Sequence, residues 1–337
     1  MNWKDKTVLI TGGTGSFGKK LTSVLLEKYQ PKKIIIFSRD ELKQFEMREQ
    51  FPQKNIRFFI GDVRDRDRLN RAFHGVNIVV HAAALKQVPA AEYNPIEAIR
   101  TNVLGAENVI NAAIDHGIEK VVALSTDKAA NPINLYGATK LCSDKLFMAA
   151  NAYGVGKTAF SVVRYGNVVG SRGSVVPFFQ RICQEGGVIP ITDAKMTRFL
   201  ITLEQGALFV MKCFDLMKGG ELFIPRIPSV KILDLKEAIA PGLEHKIVGI
   251  RPGEKLHEVL LPAEESRCAL EFPDMFIVEP NYEWWAKGQH HQDGKPCPEG
   301  FEYNSLNNTE WMDVAAIREM IARHAPAGSF TQKANVG

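Results

Sequence analysis

No apolar run in the 337-residue chain reaches the roughly 18 to 20 residues needed to span a bilayer. Its first residues, Met1-Asn2-Trp3-Lys4-Asp5-Lys6, lead into a β-branched run without the apolar core of a signal peptide, so a cytoplasmic location and no membrane partner are expected. Charge of one sign is scarce too. The 42 basic and 38 acidic side chains leave only +4, which argues against broad nucleic-acid binding but allows local anion pockets. Cysteine is sparse: Cys142, Cys183, Cys213, Cys268 and Cys297 are scattered and show no Cys-x-x-Cys spacing. That excludes a disulfide framework and points to free buried thiols. Cys297 with His290 and His291 forms one loose cluster beside Pro296 and Pro298; it reads as ordinary loop, and no metal is expected. There is no internal repeat.

From Thr7 to Arg164, short apolar runs alternate with longer amphipathic stretches, the mark of repeated strand and helix units in a parallel sheet covered on both faces. The expected strands run from Thr7 to Ile10, Lys33 to Phe37, Ile56 to Ile60, Ile78 to Ala82, Lys120 to Ser125 and Phe160 to Arg164. The rhythm then breaks into a stretch rich in Gly, Pro and polar residues from Asn167 to Arg198. It resumes from Leu203 to Ile224 as a helix and a strand that return to the sheet. The expected class is α/β: a doubly wound Rossmann parallel sheet from residues 1–167 and 201–224, with a smaller mixed α/β substrate-binding lobe from 168–200 and 225–325. Residues 326–337 carry no periodicity and are expected to form a flexible tail.

The first strand opens into Thr11-Gly12-Gly13-Thr14-Gly15-Ser16-Phe17-Gly18 and then a helix. A pyrophosphate needs close backbone approach: a side chain at Gly12 or Gly15 would block it, and Gly18 lets the helix pack on the strand. The helix N-terminus adds free N–H groups and a partial positive charge. A merely tight turn is the plainer reading, but the flanking strand and helix favour a dinucleotide. At the end of the second strand, where an NAD site usually has a carboxylate for the ribose, stand Ser38-Arg39-Asp40-Glu41. A guanidinium there suits a 2′-phosphate, so NADP is expected. A capping box of Ser38 with Glu41 is compatible with that. Asp62, followed by Val63, stands where a carboxylate accepts from an adenine amino group; a helix cap is the alternative. Ala82, Ala83 and Ala84 leave room for ribose and nicotinamide.

Ser125-Thr126-Asp127-Lys128 ends the fifth strand, and Tyr136-Gly-Ala-Thr-Lys140 follows. Tyr136 and Lys140 share one helix face, so the ammonium is expected to lower the phenol from about 10 toward working pH and make it a general base. Thr126 would steady the oxygen that gives up its proton. Alone, Tyr-x-x-x-Lys is also compatible with an exposed helix pair. Joined to the glycine turn, it resembles the extended short-chain dehydrogenases/reductases, the family that acts on nucleotide sugars. The resemblance covers nearly the whole chain and includes Asn102, Arg164-Tyr165-Gly166-Asn167-Val168 and Arg251-Pro252-Gly253-Glu254.

Within that family, the run from Thr126 to Lys140 is similar to the inverting UDP-N-acetylglucosamine 4,6-dehydratases of the pseudaminic acid pathway. Retaining dehydratases carry Asp-Glu after the threonine and epimerases carry small or apolar residues; Asp127-Lys128 departs from both. The resemblance implies NADP-dependent dehydration of a UDP-sugar, with Tyr136 as base at C4, Lys128 as base at C5 and Asp127 as acid for the C6 hydroxyl. Thr126 and Lys140 support Tyr136. Lys128 has to be partly neutral, which burial beside Lys140 or Arg164 is expected to promote. The resemblance also implies cofactor contacts from Thr14, Ser16, Phe17, Asp40, Lys43, Lys86 and Asn102. It implies substrate contacts from Lys86, Lys128, Asn167, Thr192, Arg198, Arg251 and Glu254, with Arg251 and Asn167 on the diphosphate and Glu254 on the uridine ribose. For Arg198 a surface salt bridge is the alternative, and Arg64-Asp-Arg-Asp-Arg68 reads as a solvated helix face. Two other functions stay open: a nucleotide-sugar 4-epimerase that lacks the elimination step, and a non-enzymatic nucleotide sensor. The sensor would be marked by damage at Tyr136, Lys140 or the glycines, and none is present. The helical pattern from Pro95 to Ile114 fits packing within the monomer or against a copy, and the family implies a homo-oligomer.

Overall fold

The computed structural model describes residues 1–153, 158–171, 174–281 and 291–324; His290 and the 326–337 tail lie outside them. The alternating pattern forms β1 (Thr7–Thr11), α1 (Ser16–Val24), β2 (Lys33–Ser38), α2 (Glu41–Gln50), β3 (Ile56–Ile60), α3 (Arg66–Phe73) and β4 (Ile78–His81). It continues with α4 (Val88–Tyr93), α5 (Pro95–Ile99), α6 (Gly105–Asp115), β5 (Lys120–Leu124), α7 (Leu135–Tyr153) and β6 (Ala159–Val163). These strands pair in parallel in the order β6-β5-β4-β1-β2-β3. β1, β2 and β4 are buried almost throughout, which is why they read as unbroken apolar runs rather than alternating ones. Each strand ends within one residue of the limit expected from the sequence.

Beyond β6 come β7 (Asn167–Val169), α8 (Val175–Glu185), β8 (Ile189–Ile191), β9 (Thr197–Thr202), α9 (Leu203–Leu216), β10 (Leu222–Pro225), β11 (Ser229–Lys231) and α10 (Ile232–Ile239). Then follow β12 (His245–Ile247), β13 (Val259–Leu261), β14 (Ala269–Glu271), β15 (Met275–Val278), β16 (Lys295–Pro296), β17 (Tyr303–Asn304) and α11 (Val314–His324). β10 returns parallel to β6. β15, β14 and β16 then add antiparallel strands at that edge, completing a ten-stranded sheet.

Backbone contacts divide the chain into two compact units. The first is Met1–Tyr165, Glu204–Arg226 and Val259–Asn304; the second is Gly166–Leu203, Ile227–Glu258 and the described residues from Ser305 onward. The sequence pattern had assigned 259–304 to the smaller lobe. The segment instead belongs to the first unit, because β15 pairs with β10, and strands of two to four residues are too short to show a period in sequence. The second unit has its own core, in which Phe179, Ile189, Met196, Leu235 and Ile317 pack together. Among the described residues, no helix is long and apolar enough to cross a membrane.

Asp40 caps α2 by accepting from Lys43 N, and Asp65 caps α3 by accepting from Arg68 N. The expected capping box of Ser38 with Glu41 is therefore not formed, and Asp62 is not a cap. The helix expected from Pro95 to Ile114 changes pitch at a π turn, Arg100–Leu104, which carries Asn102. Of the thiols only Cys213 is buried; Cys142 and Cys183 are exposed, unlike the expectation. His291 faces Glu221, with Nε2 3.4 Å from Oε1, and so does not group with Cys297.

Glu221, at the start of β10's segment, is fully buried and accepts from Ser161 Oγ (2.6 Å), Lys218 N (2.7 Å) and Gly219 N (2.9 Å). Burial alone would raise this carboxyl, but the hydrogen bonds, that to His291 foremost, outweigh it and hold it at about 2 against an ordinary 4.5. Ionised Glu221 therefore stabilises the fold above about pH 4.5, and that contribution is lost as pH falls toward 2. Glu221→Gln should cost about 1–3 kcal/mol near neutral pH in denaturant titrations. It should also flatten the loss of stability below about pH 4.5; a slope equal to the parent's would contradict this account.

Candidate active site

Gly12 has φ +63, and a Cβ there would meet Ala82 O and the Ala83 backbone at 2.9 Å. The turn after β1 thus lies against the end of β4 only because this residue has no side chain. α1 begins at Ser16, with Gly15 in the cap position and no side-chain cap, a helix start suited to a pyrophosphate. Thr11 Oγ1 accepts from Ala82 N and Ala83 N and lies 2.8 Å from His81 Nδ1, tying the alanine run to β1. Burial, and then the charge of Lys140, push His81 down to about 3, so its ring is neutral. Phe17 stacks on Tyr165 with ring centres 6.3 Å apart. These residues fit a dinucleotide.

At the end of β2, Ser38 Oγ receives hydrogen bonds from Thr14 Oγ1 (3.1 Å) and Gln44 Nε2 (3.2 Å). Asp40 is engaged with Lys43 through both its cap and an ion pair. Arg39 is exposed, its guanidinium 3.6 Å from Asp62. Asp62 accepts from Arg64 N (3.0 Å) and the Arg64 guanidinium (2.7 Å). Partial burial works against ionisation of Asp62, yet the Arg64 hydrogen bonds and the Arg64 and Arg39 charges hold its carboxyl below the ordinary range. Arg64, Asp65, Arg66 and Asp67 are exposed, as expected of a solvated face, while Arg64 also pairs with Glu97 and the half-buried Arg68 places its guanidinium 4.0 Å above the Phe59 ring. Val63 is buried, and its carbonyl accepts from Asn108. Asn102 Nδ2 donates to Leu85 O (2.9 Å) and Thr139 Oγ1 (3.0 Å), while Oδ1 accepts from Leu85 N (2.8 Å). That clamp ties the loop carrying Lys86 to α7.

After β5 the chain enters a short 3-10 turn, Asp127–Ala129, in which Asp127 N donates to Tyr165 O and Lys128 N to the Thr126 hydroxyl. α7 starts beside it: Asn134 Oδ1 accepts from Gly137 N (2.8 Å), and Glu92 of α4 accepts from Leu135 N (2.7 Å). A Cβ on Gly137 would stand 2.0 Å from the Lys128 carbonyl oxygen. The first turn of α7 therefore lies directly on the Asp127–Ala129 turn and brings the Tyr136 phenol to the Thr126 hydroxyl, with which it hydrogen-bonds. Asp127 is 1% exposed; its Oδ1 accepts from Thr126 Oγ1 at 2.8 Å and from Lys128 Nζ at 3.0 Å, while its buried Oδ2 has no hydrogen-bond partner. This is not a surface ion pair.

Two electrostatic expectations are corrected. Burial pushes the Tyr136 phenol up to about 12, although the Lys128 charge and the Thr126 hydrogen bond oppose it. The cation that acts on Tyr136 is Lys128 rather than Lys140, and the charge that acts on buried Lys140 is that of Asp144, one turn further along α7. Arg164 is committed to Glu265 (2.7 Å) and Leu260 O (3.0 Å) rather than to Lys128. The cation close to Lys128 is Lys86, whose ammonium is held below its ordinary range by burial and then by the Lys128 charge.

The second unit contains a cavity of about 520 Å³ whose walls include Asn167, Thr192, Arg198, Arg251 and Glu254. Arg198 is buried and donates to Thr197 O (2.7 Å), Leu256 O (3.0 Å) and Lys255 O (3.0 Å), and pairs with Glu254 at 3.2 Å. It holds the wall together, so the surface salt bridge is ruled out. Thr192 Oγ1 lies 2.9 Å from Met196 Sδ. The Arg251 side chain is exposed and makes no hydrogen bond or ion pair among the described residues, which leaves it open to an anion. Asn167 Oδ1 and Glu254 Oε2 are buried without partners. Phe178, with the Arg181 guanidinium 5.6 Å above its ring, completes an apolar and cationic wall. Sequence reading does not find it, nor Gly137 or Asp144: α8 lies in a stretch read only as rich in Gly, Pro and polar residues, and a glycine inside a helix carries no motif.

A model of the polysaccharide biosynthesis protein family matches residues 8–280. The chain belongs to this family, and its sheet and motifs are those of the extended short-chain dehydrogenase/reductase type. The UDP-N-acetylglucosamine 4,6-dehydratase (inverting) of Campylobacter jejuni subsp. jejuni, a hydro-lyase, is 55% identical over 94% of this chain and 97% of its own length. The family resemblance read from the motifs is borne out at this level. A UDP-glucose 4-epimerase of Rickettsia conorii is 40% identical over 94% of this chain and 95% of its own. The X-ray structure of Pen from Bacillus thuringiensis matches with a TM-score of 0.87 at 39% identity, covering 96% of this chain and 99% of that one.

Alanine inside a helix ordinarily gains about 1 kcal/mol over glycine. Gly137→Ala should reverse that sign and lose about 1–3 kcal/mol by overpacking against the Lys128 carbonyl. Chemical denaturation checks it, and a stabilised variant would disprove the close contact.

Proposed function

We propose that the protein is an NADP-dependent UDP-N-acetylglucosamine 4,6-dehydratase that inverts C5. The observation that carries this reading is the linked chain Tyr136, Thr126, Asp127, Lys128, built on buried Tyr136 and Asp127, with one carboxylate oxygen left over. NADP, when bound, supplies hydride acceptance at C4 and hydride return at C6. Gly12, Gly15 and Gly18 would admit its pyrophosphate, and Arg39 its 2′-phosphate, since Asp40 and Asp62 are already engaged. Tyr136 takes the C4 hydroxyl proton as a phenolate, the form that the Lys128 charge and the Thr126 hydrogen bond favour against burial and that the positive ring of bound NADP would favour further. Oxidation at C4 acidifies the C5 hydrogen, which a neutral Lys128 amine removes; Asp127 protonates the departing C6 hydroxyl, and water leaves.

One proton serves both of the last two groups. Moving it across the 3.0 Å from Lys128 Nζ to Asp127 turns an ion pair into a neutral base and a neutral acid. Lys86, whose charge acts on Lys128, favours that transfer. Arg251 and Asn167 are assigned to the diphosphate and Glu254 to the uridine ribose, in a second unit that serves as the substrate lobe. A cytoplasmic homo-oligomer is part of the same reading.

A second reading is supported by the Rickettsia conorii relative: a nucleotide-sugar 4-epimerase using the same tyrosine and lysine without elimination. Incubation of the protein with NADP and UDP-N-acetylglucosamine separates the two. Appearance of a 4-keto product absorbing in alkali, with one solvent deuterium at C5, is expected; a C4 epimer with no keto sugar would give the case to the epimerase. Lys128→Ala should lower kcat by at least about 100-fold, in the range of a lost general base. Turnover that persists with C5 exchange would remove Lys128 from that role. Arg39→Ala should raise KM for NADP about tenfold and leave KM for NAD within about twofold, as expected for loss of a charge-assisted phosphate contact; equal effects on both would refute the 2′-phosphate assignment.

A further inference from the structure

We propose that Asp144 is a positioning residue for Lys140: its buried carboxylate, anchored between Ser125 and Arg164, is the fixed counter-ion of the Lys140 ammonium. The inference rests on the dehydratase reading, with Lys140 taken, as the family resemblance implies, to act beside Tyr136 at the dinucleotide. Tyr136, Lys140 and Asp144 recur at four-residue intervals and so share one face of α7. Lys140 is 3% exposed and Asp144 1%. An ammonium this deep loses its proton readily unless an opposite charge stands by. Burial lowers Lys140 and raises Asp144, and in each case the charge of the other opposes it.

Asp144 is itself held. Ser125 Oγ donates to Oδ2 at 2.5 Å, and Arg164 Nη2 lies 3.8 Å from the same oxygen. Oδ1 has no hydrogen-bond partner, so its charge is not absorbed by a second donor. Arg164, 1% exposed, forks onto Glu265 at 2.7 and 3.3 Å. The cluster thus contains Lys140 and Arg164 against Asp144 and Glu265, a balance that buried charges require. The other titratable groups nearby do not substitute for Asp144. His81 of β4 is neutral, Tyr136 is protonated, and the Asp127 and Lys128 charges pair with each other.

The arrangement predicts what a packing role would not: the proton on Lys140 depends on Asp144. In protein labelled with nitrogen-15 lysine, Lys140 Nζ is identified by its loss in Lys140→Met and titrated without substrate. Asp144→Asn should lower its midpoint by about one pH unit or more, the effect of removing a neighbouring opposite charge. The alkaline limb of kcat should shift downward with it, with KM for the UDP-sugar changed less than about twofold. Asp144→Glu should restore most of the shift. A lowered melting temperature with an unmoved Lys140 midpoint would overturn the proposal. Should Asp144→Asn fail to fold, the reciprocal measurement applies. The Asp144 carboxyl, followed by carbon-13 NMR in Lys140→Met, should titrate about one pH unit higher, and an unchanged carboxyl overturns the proposal equally. Parent protein that forms no 4-keto product would sink the dehydratase reading while leaving the Lys140 titration intact as the test of Asp144.

Discussion

The chemistry of the first unit depends on one steric permission. At Gly137 the helix backbone of α7 touches the carbonyl of Lys128, a contact that any side chain would break. Because of it, a strand-end turn carrying Asp127 and Lys128 and a helix carrying Tyr136 and Lys140 share one small volume, although eight residues of chain lie between Lys128 and Gly137. The capping of α7 by Asn134 and Glu92 fixes the helix at the required height on that turn. The site is thus set by backbone packing first, and the side chains inherit their geometry from it.

Burial then decides what those side chains can be. A phenol pushed up to about 12 and a carboxylate with an oxygen short of a partner are costly in isolation. They persist because each is linked to a neighbour of opposite need: phenol to hydroxyl, hydroxyl to carboxylate, carboxylate to ammonium. Deeper in the unit, a second balanced group of two acids and two bases surrounds α7's inner face. The protein keeps charge in low-dielectric surroundings by pairing it locally rather than by exposing it, and local pairing is also what lets protons move over short distances.

Much of the fold was legible in sequence because parallel strands covered on both faces must be apolar throughout, and such runs stand out. The glycine turn, the alanines after β4 and the Tyr-x-x-x-Lys pair were legible for a similar reason: each requirement selects few residue types. What escaped detection lacks that selectivity. β14, β15 and β16 are too short to show a period, so their membership in the large sheet depends on pairing with β10, which sequence cannot show. Gly137 and Asp144 look like ordinary helix positions until the opposing surface is known. The expectation for Tyr136 failed on two counts: the cation that acts on the phenol is Lys128 rather than Lys140, and desolvation, which outweighs it, was not weighed.

The path of the chain carries a consequence for how the protein is made. The first unit draws on Met1–Tyr165, Glu204–Arg226 and Val259–Asn304, with pieces of the second unit threaded between them. β10 cannot gain its antiparallel neighbour until β15 has been synthesised, so during translation a half-finished sheet keeps an apolar edge exposed while some fifty residues emerge. Neither unit can be expressed as an uninterrupted fragment, and a ribosome that stalls before Met275 leaves behind a sticky intermediate rather than a smaller working domain.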